Sequence, residues 1–311
     1  MAERGVSKNR YFDNVEIENI EKSMELLKKS RFTGRGVVYQ RSNFLFEVDQ
    51  HMIESKKDIN KYRWKGLLTE GAGLLIDGKP KCMKSTIAAM MTAAALNLNN
   101  NGIYQNFKCN MNPNKQILWF DTEQTVPQFN KMQLNIMRWA GLEEPPFNYH
   151  AFSLVQFQDP IEKIFMILKV LKDLLYYGRK DRLGDLIEND QIGLIVLDVI
   201  SDLVADENDR IQVNQLFDLI GKIQAETGTM VIYTLHQNKG DDKPTGIIGG
   251  KMEKKASGRI MCNRKGEDDA GPVYVRHKFN REGGELFNPF FVNYDEAGFP
   301  IIVDNDISQI F

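Results

Sequence analysis

Long apolar runs, cysteine and histidine are all scarce in this 311-residue chain. No stretch of about 18 uncharged apolar residues occurs, which excludes a membrane-spanning helix. The amino-terminal MAERGVSKNRYFDNVE lacks the apolar core of a secretion signal. A cytoplasmic protein without membrane association is therefore expected. Three cysteines (Cys82, Cys109, Cys262), an odd number with no CxxC spacing, argue against a disulfide framework, and four histidines leave too few ligands for a structural zinc site. A large net charge is also missing: 40 Lys+Arg against 42 Asp+Glu give −2. That balance argues against a nucleic-acid partner only until it is divided by segment. Residues 1–65 carry +4, residues 66–238 carry −5, residues 239–281 carry +5, and the last 30 residues carry −6.

What the chain does have is alternation. Short apolar runs at 73–76, 116–120, 149–154, 192–198 and 230–235 are separated by helical patterns over 85–97, 125–139, 161–177 and 211–226. Continuous apolar strands between helices mean a sheet covered on both faces, so the expected fold is a doubly wound, mostly parallel α/β domain. Beyond residue 256 the pattern becomes strand-like (GRIMC, PVYVRHKF, FFVNY, PIIVD) with turns at Gly283-Gly284 and Gly298, predicting antiparallel hairpins at the end of the sheet. An amphipathic helix is expected over 15–31, within an amino-terminal arm of residues 1–63 ahead of a core over 64–311. No internal repeat or low-complexity segment is evident.

The segment carrying most chemistry is Gly78-Lys-Pro80-Lys81-Cys82-Met83-Lys84-Ser85-Thr86. It leads from an apolar strand into a helix, and it fits GxxxxGK[ST] except that Met83 replaces the second glycine. In such a loop, backbone N–H groups face phosphate, Lys84 reaches the β- and γ-oxygens, and Ser85 ligates Mg2+. The competing reading is a basic strand-to-helix turn. IGLIVLD ends a buried strand on Asp198, where a carboxylate can hold Mg2+, and ILWFDTEQ ends another on Asp121 and Glu123. Glu123 suits a base that activates water, or else both acids begin the next helix as caps. His236, just past the strand MVIYTL, is either a γ-phosphate sensor or a solvent-facing structural residue.

Together these residues resemble the RecA-like ATPases, most closely the RepA-like group of AAA-type proteins of plasmids, other mobile elements and phages, related to the hexameric DnaB-type replicative helicases. The resemblance covers residues 64–290, through the lead-in from Trp64 to Gly73, GKPKCMKST, FDTEQ, LIVLD and LHQNKG. It implies ATP and Mg2+ as cofactors and hydrolysis between adjacent subunits of a homo-oligomeric ring, such as a hexamer, or of a filament. By position it makes Lys84, Ser85 and Thr86 the phosphate and Mg2+ ligands, Glu123 the general base, Asp198 the Walker B acid and His236 the sensor. It further implies a flexible, basic, Gly-rich loop over 241–257 whose Lys251, Lys254 and Lys255 meet single-stranded DNA, the alternative being a solvated charged loop. One of Arg276, Lys278 and Arg281 would enter a neighbour's site, and the 15–31 helix would pack on the next subunit.

The function expected is an ATPase acting on DNA, as helicase or helicase-associated protein in replication. A nucleotide-switched DNA-binding protein with weak hydrolysis is the alternative that Met83 favours. A P-loop small-molecule kinase fits less well, because residues 139–190 hold only Arg179 and Arg182 as a close arginine pair.

Overall fold

A computed structural model describes residues 46–48, 67–96, 107–109, 111–176, 192–238, 240–264, 271–281, 287 and 289–303. The expected helix over 15–31, most of the arm, Lys239, Lys265 and the acidic residues 304–311 lie outside the described residues.

Among the described residues nine strands form one sheet. In chain order they and their helices are β2 (Gly73–Gly78), α1 (Lys84–Leu96), β4 (Gln116–Asp121), α2 (Val126–Ala140), β5 (Tyr149–Ser153), α3 (Pro160–Tyr176), β6 (Ile192–Asp198), α4 (Arg210–Thr227), β7 (Met230–His236), α5 (Gly246–Lys255), β8 (Gly258–Arg264), β9 (Val273–Asn280), β10 (Phe290–Tyr294) and β11 (Pro300–Val303). The spatial order is β11-β10-β9-β8-β2-β7-β6-β4-β5. From β8 to β5 the neighbours are parallel, and β8 to β11 are antiparallel. The expected α/β class is thus observed, with its parallel core and closing antiparallel strands. A separate two-stranded sheet pairs β1 (Phe46–Val48) with β3 (Phe107–Cys109), so a piece of the expected arm contacts the core domain.

Side-chain alternation along the strands explains the layering, since successive residues point to opposite faces. Leu74, Ile76, Ile117, Trp119, Leu194 and Val196 join one core, which includes Ile87 of α1 and Ile136 of α2. Leu75, Leu118, Phe120, Ile195, Leu197 and Val231 join the other, with Ile167 of α3, Val213 of α4 and Ile248 of α5. Neither face meets water, which is why these strands read as unbroken apolar runs. Helix boundaries follow their local chemistry. Asp209 caps α4 by accepting the N–H groups of Ile211 and Gln212, and Gly228, at φ 67°, ends it.

The segment 241–257 departs from expectation. It contains a helix, α5, rather than a flexible loop. Gly249 serves close packing: a Cβ on it would stand 2.6 Å from Pro244, so the helix can approach that turn only without one. Ile248 and Met252 are fully buried under it. Among the described residues no helix is long and apolar enough to cross a membrane.

Candidate nucleotide-binding site

The carboxyl ends of parallel strands are where an open α/β sheet leaves room for a ligand. Here that edge assembles the phosphate-type loop after β2 together with Asp121, Asp198 and His236. Gly78 pairs in register with His236, and Asp121 with Asp198. Gly78 must be glycine for space, because a Cβ there would lie 2.2 Å from the Cys262 carbonyl oxygen on β8. Lys81 and Met83 take left-handed backbone angles, φ 62° and 56°. Met83 therefore adopts the geometry that glycine adopts most readily, and the loop keeps its turn. Its side chain, 8% exposed, packs into the core beneath α1.

Two effects oppose each other at Met83. A left-handed L-residue costs about 1–2 kcal/mol, while burying its side chain contributes about 1.5–3 kcal/mol and a glycine would add about 0.5–1 kcal/mol of chain entropy cost. Met83→Gly should therefore lower stability by about 1–2 kcal/mol. The check is the denaturant midpoint at unchanged m; a higher midpoint would mean that strain outweighs packing.

Lys84 is buried, and its Nζ donates to the Lys79 carbonyl and to His236 Nδ1, each at 3.2 Å. Burial lowers its pKa, with the negative groups around it opposing the shift. His236 Nε2 stands 3.6 Å from Glu123 Oε2, so the imidazole bridges the loop lysine and the acid. This contact with His236 holds the Glu123 carboxyl below the usual carboxylate range, the Lys84 charge adding to it. Glu123 is exposed and faces the cleft. Asp121 is not a cleft residue: it is fully buried, and its Oδ1 accepts the backbone N–H groups of Glu123 (3.1 Å) and Gln124 (2.8 Å). It shapes the turn that presents Glu123, and burial together with the neighbouring Asp198 raises its pKa well above the ordinary value.

Asp198 lies under the loop. Ser85 Oγ donates to its Oδ1 at 3.0 Å, Thr234 Oγ1 donates to the same oxygen, and Gln124 Nε2 donates to Oδ2 at 3.4 Å. Burial pushes its carboxyl up, against the pull of these hydrogen bonds and Lys84. A serine hydroxyl beside a buried carboxylate is an all-oxygen donor set that suits Mg2+, a hard cation that keeps several waters. Thr86 is buried at the start of α1.

Above these groups lies a cleft of about 880 Å3, within the usual size of ligand pockets. Pro80, Lys81, Cys82, Met83, Lys84, Ser85, Thr86, Glu123 and His236 all line it. Sequence reasoning missed Gln124, Arg264 and Tyr294, which line it too. Arg264 ends β8 and donates to the Lys81 carbonyl at 2.9 Å. Only the neighbouring Glu123 hinted at Gln124. Arg264 and Tyr294 reach the cleft through the antiparallel strands and carry no spacing signal.

Lys278 and Arg281 are not part of this cleft. β9 runs antiparallel to β8, so Asn280 pairs with Gly258, whereas Cys262 pairs with Gly78 at the loop. Lys278 therefore lies two to three residues, roughly 8 Å, and Arg281 about five residues, roughly 16 Å, down the sheet from their own chain's loop. Arg281 donates there to the Lys254 carbonyl. Arg276 pairs with Asp242 at 3.0 Å. Lys251 donates to Asn214 and sits 5.3 Å over the Phe217 ring, docked on α4, while Lys254 and Lys255 are exposed at the end of α5. Glu207 and Asn208 border the start of that helix, Glu207 accepting from Thr245 Oγ1 at 2.8 Å and Asn208 from the Ile247 N–H at 3.3 Å.

A strand, a loop ending in Lys-Ser, a helix and a buried strand-end aspartate define a P-loop nucleotide-binding domain. A profile of the AAA domain family matches residues 40–242, more than half of the chain, and the chain belongs to that family. No curated protein sequence matches it. Among solved structures, a KaiC-like protein of the hyperthermophilic archaeon Pyrococcus horikoshii is similar, 13% identical, covering 76% of this chain and 94% of that one with a TM-score of 0.48.

Proposed function

We propose that the chain is a Mg2+-dependent ATP hydrolase that works between subunits of a homo-oligomer and acts on DNA, as helicase or helicase-associated protein in mobile-element or phage replication. The observation that carries hydrolysis is the convergence of Lys84, the Ser85–Asp198 pair and Glu123 on one cleft. Lys84 exchanges its contacts with His236 and the Lys79 carbonyl for phosphate oxygens. Ser85 and Asp198 hold Mg2+, which when bound neutralises charge on the β- and γ-oxygens. Glu123 takes a proton from the water that attacks the γ-phosphorus, the bond to the β–γ bridging oxygen breaks, and ADP and phosphate result. His236, in contact with Lys84 and Glu123, would sense the γ-phosphate as Lys84 leaves it for the phosphate oxygens. The aromatic face of Tyr294 and the guanidinium plane of Arg264 offer stacking surfaces for the base. The turn that the loop keeps at Met83 supports hydrolysis over a switch without it.

The DNA reading rests on less. Its support is the exposed pair Lys254 and Lys255 at the end of α5, with Lys251 better suited to holding α5 in place. Lys278 and Arg281, remote from their own cleft, suit a role in a neighbour's site. The test is ATP hydrolysis with and without single-stranded DNA, alongside mass by light scattering. Stimulation by DNA that fades as salt rises, in an oligomer, is expected. Turnover by a monomer, indifferent to DNA, would leave a nucleotide hydrolase of another role.

A further inference from the structure

Directly beneath the loop lies a charged cluster that the hydrolytic reading does not use. Arg259 on β8 is 1% exposed and Asp77, the residue before Gly78, is fully buried. Arg259 Nε donates to Asp77 Oδ1 at 2.8 Å and Nη2 to Oδ2 at 2.7 Å, a bidentate pair. The same guanidinium reaches two further elements. Nη1 donates to Glu253 Oε1 of α5 at 2.6 Å, and Nη2 donates to the Asp242 carbonyl in the turn before α5. Asp77 in turn accepts from Gln237 Nε2 at 3.0 Å, and the Gln237 N–H donates to the Gly78 carbonyl at 3.0 Å. Gln237 follows His236, which touches both Lys84 and Glu123.

Simple stability does not explain this arrangement, since a buried ion pair seldom outperforms an apolar pair of the same size. What it does is join three things through one rigid planar fork, the strand that launches the loop, the turn at Asp242 and α5, while Asp77 adds the residue after His236. The Thr245 N–H donates to the His236 carbonyl at 3.0 Å, so that turn is also tied to the sensor end of β7. A shift of β7's end or of the loop by a fraction of an ångström changes the Asp77–Arg259–Gln237 geometry. α5 must follow, because Arg259 holds Glu253 and the Asp242 carbonyl together.

We propose that Arg259 is a positioning residue that couples occupancy of the nucleotide cleft to the placement of α5 and the turn before it. This rests on the nucleotide-binding reading of the cleft. It adds the route: through a buried arginine rather than through the exposed surface, with the end of α5 that carries Lys254 and Lys255 as the moving part.

The test compares wild type with Asp77→Val/Arg259→Met, which removes both charges and leaves neither unpaired, and with Glu253→Ala, which cuts only the half-exposed contact to α5. Peptide-level hydrogen exchange over residues 241–257 is read with and without Mg2+ and the non-hydrolysable analogue AMPPNP, and analogue affinity is measured separately. In wild type the analogue should slow exchange in α5 by about tenfold. Both variants should still bind the analogue, and the response should fall to less than about twofold in the double variant and to an intermediate value in Glu253→Ala. A merely structural role would alter exchange equally with and without the analogue. An undiminished response in the double variant, or no response in wild type that binds the analogue, overturns the coupling alone. Failure of wild type to bind the analogue overturns the reading of the cleft as well.

Discussion

Glu123→Gln should cut ATP turnover by about 10²–10⁴-fold while leaving nucleotide affinity within about threefold of wild type, the range expected when a positioned base is lost and binding groups are kept. The geometry makes the separation clean. Glu123 contributes no bond to the loop, its turn is held by Asp121 through backbone N–H groups, and glutamine preserves the side-chain shape. Acidity points the same way. The Glu123 carboxyl is held below its ordinary range by His236, so the base is ready at neutral pH, and rate is lost only as pH falls through that lowered value. In His236→Ala the acid limb of kcat/KM should move to higher pH, because the first cause of the depression is gone. An unchanged kcat in Glu123→Gln would assign the base elsewhere.

The largest effect on stability is expected at Arg259. Arg259→Met alone strands the fully buried Asp77 carboxylate, at a cost of about 3–5 kcal/mol. Asp77→Val/Arg259→Met should cost less than the single variant, about 1–3 kcal/mol, since no buried charge is left unpaired and only the buried Gln237 amide and the Asp242 carbonyl lose a partner. The pH dependence follows from burial, which pushes the Asp77 carboxyl up against the pull of Arg259. Without Arg259 that rise is larger, and a group with a raised folded pKa favours the native state only while protonated. The penalty of the single variant should accordingly shrink as pH falls toward the ordinary carboxylate range and grow toward neutrality. Urea unfolding of the three proteins across pH measures this directly; equal midpoints at neutral pH for the single and double variants would contradict it.

How far the sequence could be read depended on whether the relevant physics was local. IGLIVLD reads as a strand and is one, residues 192–198, because burial on both faces leaves an uninterrupted apolar run. The loop from Gly78 to Thr86 was legible because its chemistry is contiguous, and the strand-end acids because parallel strands all deliver their carboxyl ends to one edge. α5 was not legible. Its three glycines and several lysines imitate a solvated loop, and only the tertiary contact with Pro244 reveals why Gly249 is there. Asp77 and Arg259 are 182 residues apart in sequence, and nothing but the neighbouring of β2 and β8 joins them. Arg264 and Tyr294 were hidden for the same reason. Lys278 and Arg281 show the reverse limit: their sequence spacing suggested a site residue, and their place on β9 and just past it keeps them from this chain's own cleft.

The central claim is that the cleft over Lys84, Ser85 and Glu123 hydrolyses Mg2+-bound ATP, and phosphate release by wild type and Lys84→Ala tests it most directly. Wild type should release phosphate only with Mg2+, the release being abolished by a chelator and reduced at least about 10²-fold in Lys84→Ala, which would lose the charge proposed to meet the β- and γ-oxygens. Equal release by the two proteins, or release that continues without Mg2+, would contradict it.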